Sequence, residues 1–481
     1  MPLSFLSHSM SVLGSARTGK ALRTSAVGLA LAGLVLTGCS TNQLEDLPTC
    51  IDVECTGVLN GAAYEIVLPE DWNGTLLLYS HGYRSAYPTP PEFEPVDSSA
   101  EPAPGWASGN KSVGEALLAE GFALAGSAYS ANGWAVSEGV AAGQDLIAFF
   151  TENIAEPRSV LAWGDSLGGL ITANLAEIPD LLDGAAPFCG VLAGPNLNFD
   201  LAVDVTLAAK LTVLPELPLD LPGGYEDAVR ALEPSLRTLL EIAENDDDPR
   251  AGVLLAIGAM AEAPDQTRTF DGATPSSRLS AVIEGIVTAI TFGTLARYEF
   301  DQRVGGSAAS SDPATFLDRI DPAELAEIED RFPGTAEIID VAWSAGAPVV
   351  ADEAARTGAI ELGTLTGELQ VPVLSLHTAA DPLVIVANQT VFTEAVAARG
   401  FEDLLATGIT VAPGTYPQDP GAPYGAGHCN FTDATRVGAI KALSEWVETD
   451  ATPTAEGLSA ALGSGSGFDP RFALPPWPFQ P

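Results

Sequence analysis

Along residues 57–194, short and wholly apolar runs alternate with longer runs whose apolar residues recur three and four apart. The first kind reads as strands buried on both faces, the second as helices that cover them. Residues 57–61 and 62–68 form a hairpin around Asn60-Gly61, a pair that accepts the positive φ of a two-residue turn. Residues 75–80 make a buried strand ending in His81-Gly82-Tyr83, and the Pro- and acid-rich stretch 87–105 is a rim loop. A helix over 111–120, a strand over 121–127, a helix over 137–153, a strand over 159–163, a helix over 167–177 and a strand over 185–192 follow. This β-α-β-α rhythm predicts an α/β fold: a mostly parallel sheet flanked by helices.

The rhythm breaks over 195–369. Helical spacing appears at 226–244, 251–261, 278–291 and 322–331, punctuated by Pro and Gly, and no strand of convincing length intervenes. A large helical cap, or lid, is therefore expected as an insertion into the sheet domain. Strand spacing returns at 369–377 and 408–411, with helices over 388–399 and 432–448. The core is thus expected in two pieces, 57–194 and 370–448. Residues 449–481, with Gly463-Ser464-Gly465-Ser466-Gly467 and a Pro-rich end, read as a flexible tail.

Composition changes the picture at the N-terminus. Arg17, Lys20 and Arg23 precede an apolar run over 26–36 that is too short to span a bilayer comfortably, so 1–38 reads as a signal peptide. Leu36-Thr37-Gly38-Cys39 resembles the lipobox of bacterial lipoproteins, in which the cysteine thiol takes a diacylglycerol and becomes the mature N-terminus. The expectation is an extracytoplasmic protein, anchored at Cys39 or secreted, with 39–56 as a tether and no second membrane segment. Loss of the leader's three basic residues moves the formal net charge from −42 to −45. Such a surface repels nucleic acid and anionic head groups, which excludes a nucleic-acid partner. Of five cysteines, lipidation of Cys39 leaves Cys50, Cys55, Cys189 and Cys429, an even number that suggests two disulfides. Cys50 and Cys55 suit a short local loop. A Cys189–Cys429 bridge would pin the loop that holds His428.

The candidate chemistry starts at Gly164-Asp165-Ser166-Leu167-Gly168, between an apolar strand and a helix. That context is the one a nucleophile elbow needs: a turn so tight that only small flanking residues fit, lifting the serine hydroxyl above the sheet edge. A serine hydroxyl needs a base, and the base an orienting acid. After the leader only His81, His377 and His428 remain. His428, in a Gly-rich loop between the last strand and the last helix, can swing its imidazole over the sheet edge. Asp381, in the turn after the strand that follows the insertion, is the expected acid. Asp433 and Asp419 are rivals, but they lie on the histidine segment itself. The amides of Leu167 and Tyr83 are the expected oxyanion donors.

The order Ser166, Asp381, His428, the His81-Gly82 loop, the elbow and the position of the insertion resemble the α/β-hydrolase superfamily over 57–194 and 370–448. Asp381-Pro382-Leu383-Val384 and Gly427-His428-Cys429-Asn430-Phe431 are similar to segments of secreted bacterial serine hydrolases, both esterases and peptidases. The resemblance implies acyl transfer through an acyl-serine, with no metal and no organic cofactor. A carboxylic ester hydrolase acting on small-molecule or polymeric esters is the leading expectation. An exopeptidase is the alternative, with Glu324, Glu327, Glu329 and Asp330 either holding a substrate amine or lying on a solvated helix face. A non-catalytic binding protein on the same scaffold is a third reading, disfavoured because no candidate triad residue is missing.

Overall fold

The computed structural model describes residues 49–51, 54–88, 111–220, 224–245, 247–263, 275–412 and 426–478. The leader, Cys39, Asp419 and most of the 87–105 loop lie outside them.

Among the described residues nine strands form one sheet: β1 (Thr49–Ile51), β2 (Glu54–Leu59), β3 (Ala62–Val67), β4 (Thr75–Ser80), β5 (Ala123–Ser127), β6 (Ser159–Asp165), β7 (Gly184–Phe188), β8 (Val373–Thr378) and β9 (Leu405–Thr410). Their order is β1-β2-β3-β5-β4-β6-β7-β8-β9. The first three strands and the β3/β5 pair are antiparallel, and from β5 to β9 every pair is parallel. Strands β4, β5, β7 and β8 are buried along their whole length, which is why their sequences read as unbroken apolar runs.

Alternation across the pleat assigns neighbouring side chains to opposite layers. Leu76 and Leu78 of β4, with Val160 and Ala162 of β6, pack against α2 (Val136–Asn153) and α3 (Leu167–Ala176). Leu77, Tyr79, Leu161 and Trp163 face the other way, toward α1 (Lys111–Ala119), α13 (Asp433–Thr449) and α14 (Ala455–Leu462).

Between β7 and β8 stand α4 (Gly194–Thr212), α5 (Tyr225–Ala243), α6 (Arg250–Met260), α7 (Pro275–Thr291), α8 (Arg297–Val304), α9 (Pro322–Arg331), α10 (Thr335–Ser344) and α11 (Glu353–Ile360). They surround a core of their own, with Leu207, Leu239, Leu254, Ile257, Ile290 and Trp343 at its centre. Helix α12 (Ala387–Arg399) follows β8. A wide π turn at Phe292–Ala296 fuses α7 and α8 into one long helix. By length and composition alone Leu279–Val304 could pass for a membrane span, unlike the expectation of no second apolar segment, but 56% of its most apolar window is buried inside the fold, as in a core helix.

Three expected boundaries need correction. The stretch 39–56 is not all tether, because β1 and β2 extend the sheet edge and Cys50 stands opposite Cys55 in their ladder. Cys55 is disulfide-bonded, while the side chain of Cys50 lies outside the described residues. The strand expected over 185–192 ends at Phe188, since Cys189 takes a left-handed φ of 42°. Nor is the tail expected over 449–481 loose where it is described, over 449–478. Helix α14 packs on α13, Phe468 bridges Thr410 of β9, and Trp477 is buried. The glycines there close the turn: Gly467 sits at φ 75° and its carbonyl accepts the Val411 amide, where a side chain would press on the Val411 carbonyl.

Candidate active site

Strand β6 delivers Ser166 to the turn before α3, and Ser166 sits there at φ 60°, ψ −123°. Its own amide donates to the Phe188 carbonyl at 3.0 Å, fixing the turn to β7. A Cβ on Gly164 or on Gly168 would overlap the Ser80 carbonyl at the end of β4, so both flanking positions require glycine on space alone. A non-glycine residue at such a φ costs about 1–3 kcal/mol, and the surrounding strands hold it.

Asp381 lies in the turn after β8, fully buried. Its Oδ1 accepts the amides of Leu383 and Val384, each at 2.9 Å. The His428 Nδ1 lies 2.9 Å from Oδ2 and 3.1 Å from Oδ1. Burial pushes the Asp381 carboxyl upward, but His428, through charge and hydrogen bond, together with His377 and the Val384 amide, holds it below the ordinary carboxylate value. With Nδ1 committed to the carboxylate, the lone pair of a neutral His428 is on Nε2, where a base needs it. Among the described residues no hydrogen bond closes the remaining link from His428 to Ser166. A Cys189–Cys429 disulfide, Cα atoms 5.4 Å apart, ties the residue after His428 to the end of β7 beside the elbow.

The other candidates separate clearly. His81 stacks on Tyr129 with ring centroids 3.8 Å apart and spans the Gly82 and Ala128 carbonyls at 2.7 and 3.3 Å. Burial, helped by Arg84, pulls it down to about 3, so it stays neutral and structural. His377 is buried against the Thr378 carbonyl, and burial lowers it too. Asp433 accepts the Ser112 hydroxyl. Leu167 is the first residue of α3, and its amide starts a helix. Tyr83 follows Gly82, whose Cβ position would lie 3.4 Å from the Ser166 Cβ. The Tyr83 ring packs on Phe292 of the insertion, 5.7 Å between centroids. Of the α9 acids, Glu329 accepts the Gly334 and Ala336 amides at 2.7 and 2.9 Å, which lowers its pKa, and Glu327 and Asp330 are exposed. Glu329 is thus committed to its own loop.

Sequence reasoning also passed over a carboxylate beside the site. Glu262, after α6, borders a cavity of about 310 Å³ shared with Asp381, Ile385, Phe472 and Pro475. A single carboxylate between apolar helices gives no pattern to detect. Burial alone raises its pKa to about 7. The folded-state pKa lies above the unfolded one, so its contribution to stability is full below about pH 4.5 and is lost as pH rises to 7. Glu262→Gln is therefore expected to melt about 1–3 °C above the parent at pH 8 and level with it at pH 4.5. Equal offsets at both pH values in a thermal-shift series would refute the titration.

Asp165, Cys189 and Cys429, and separately Asp381, His428 and Cys429, bring potential ligand atoms within 4.8 Å. The two sulfurs are covalently paired, so neither group offers a thiolate to a metal.

No protein-family model matches the chain. An o-phthalyl amidase of Xanthobacter agilis is 23% identical over 478 residues, covering 91% of this chain and 95% of its own. Among solved structures, feruloyl esterase B from Aspergillus oryzae superposes with a TM-score of 0.38 at 13% identity, covering 83% of this chain and 80% of its own. Proline iminopeptidase from Mycobacterium smegmatis gives a TM-score of 0.30 at 12% identity, with 82% and 96% covered. Its strand order, its serine turn after β6 and the placement of Asp381 and His428 beyond β8 and β9 are those of the α/β-hydrolase fold.

Proposed function

We propose that the chain is a serine hydrolase that cleaves carboxylic esters through an acyl-serine. The observation that carries this reading is the pair of the buried Asp381 with His428, held by the disulfide next to the strained serine turn. Ser166 Oγ attacks the ester carbonyl while His428 Nε2 takes its proton. The amides of Leu167 and Tyr83 receive the developing oxyanion, and the imidazolium, steadied by Asp381, returns the proton to the departing alcohol. Water then repeats the sequence on the acyl-serine.

The helices between β7 and β8 serve as the lid of this site, with Phe292 and Tyr83 meeting at its seam. Anchorage at Cys39 outside the cytoplasmic membrane fits a leader of lipobox type and an oxidised cysteine pair.

A second reading, amide cleavage, is favoured by one observation. The amidase relative aligns over nearly the whole chain, insertion included. A substrate panel separates the two: p-nitrophenyl esters of short acids, the anilide of an o-phthalic acid and aminoacyl-anilides, each followed as kcat/KM. Ester turnover at least tenfold above either amide is expected. Phthalyl-amide turnover above ester turnover would transfer the assignment to an amidase, and aminoacyl-anilide turnover to an exopeptidase.

A further inference from the structure

We infer that Arg436 is a positioning residue: one guanidinium that fixes the strand carrying Ser166 against the loop carrying His428. This rests on the reading of those two side chains as nucleophile and base.

Arg436 lies in the first turn of α13 and is only 6% exposed, unusual for an arginine. Its Nε and Nη2 donate to Asp165 Oδ1 at 3.3 and 3.0 Å, and Asp165 is the residue before Ser166. Its Nη2 also donates to the Cys429 carbonyl and its Nη1 to the Phe431 carbonyl, both at 2.8 Å. Cys429 is the residue after His428. The guanidinium carbon stands 5.4 Å over the Phe431 ring. The fork therefore reaches a neighbour of each proposed catalytic residue at once. An ammonium, as a point charge without planar forked donors, cannot reproduce that set.

The backbone explains why such a clamp is needed. Cys429 sits at φ 50° and Ser166 at φ 60°, conformations that persist only where the surroundings over-determine them. At Cys429 the carbonyl is held by Arg436, the amide by Asp381 Oδ2 at 3.4 Å and the sulfur by Cys189. Freeing the carbonyl lets the peptide after Cys429 rotate, and His428 moves with it. Asp165 depends on the same partner, because its Oδ2 is buried without a hydrogen bond among the described residues. A clamp of this kind acts on geometry at the reacting atoms, so its loss falls on kcat and leaves substrate affinity alone.

The test uses the mature protein with a p-nitrophenyl ester and a fluorophosphonate probe. The variants are Arg436→Lys, Arg436→Ala and the double change Asp165→Asn with Arg436→Met, which leaves no buried charge and keeps the question open should the single variants not fold. The expected result is a kcat about 30–300-fold lower in every folded variant, the size associated with a displacement near 1 Å, with KM unchanged within about threefold. Added guanidinium ion at tens of millimolar should return at least about tenfold of the loss in Arg436→Ala and nothing in Arg436→Lys, whose side chain fills the space. Folded variants with kcat within about threefold of the parent, or losses that only track the unfolded fraction without rescue, would overturn the inference while the serine mechanism stands. A parent protein that the probe does not label at Ser166 would remove the catalytic reading, and this inference with it.

Discussion

Ser166→Ala is expected to lower ester kcat by about 10⁴–10⁶-fold while the melting midpoint stays within roughly 2 °C of the parent. The first half follows from chemistry, because without the hydroxyl there is no acyl-serine and only oxyanion stabilisation and binding remain. The second half follows from the site. The Ser166 side chain makes no hydrogen bond among the described residues, and what fixes the turn is its backbone amide on Phe188 and the fit of Gly164 and Gly168 under Ser80. Alanine keeps all of that, including the cost of φ 60°. Ser166→Gly sharpens the case, since glycine adopts that φ freely and should melt above the parent while being equally inactive. Retention of a tenth of the parent turnover by either variant would remove Ser166 as nucleophile. A fall of more than about 10 °C in the alanine variant would assign the serine to the fold instead.

What could be read from the chain was what short-range sterics impose. Gly164 and Gly168 flank the serine because a Cβ at either would meet the Ser80 carbonyl, and Asn60-Gly61 turns a hairpin because both positions take positive φ. The parallel strands announced themselves by being buried on both faces. Long-range compensation was invisible. Arg436 looks like one more charge at the start of an amphipathic helix, and only the fold reveals Asp165 and two carbonyls facing it. The tail misled for a related reason: a run of Gly and Ser means flexibility when nothing contacts it, whereas here Gly467 lets the chain hug β9 and delivers Trp477 to a buried site. The bulky apolar residues set among its prolines, Leu474, Trp477 and Phe479, were the cue for that docking.

Asp381→Asn should cost about 10⁴-fold in kcat and leave a folded protein, which makes it the sharpest probe of the acid's role. The asparagine Oδ1 can still accept the Leu383 and Val384 amides, so the turn after β8 survives. Its amide NH₂ replaces the carboxylate oxygen 2.9 Å from His428 Nδ1. That nitrogen must then accept, the proton moves to Nε2, and the imidazole faces Ser166 as a donor unable to take the hydroxyl proton. Stability offers an independent readout. The folded-state pKa of Asp381 is depressed, so its contribution is present above the ordinary carboxylate range and is lost as pH falls through the folded value. The parent should therefore melt above Asp381→Asn at pH 6, and the gap should narrow on titration below about pH 4. A gap that widens toward acid would mean that the carboxyl is not held in its ionised form. A kcat within tenfold of the parent would show that His428 takes its orientation from elsewhere, with His377, its Nε2 buried and without a partner among the described residues, the first place to look.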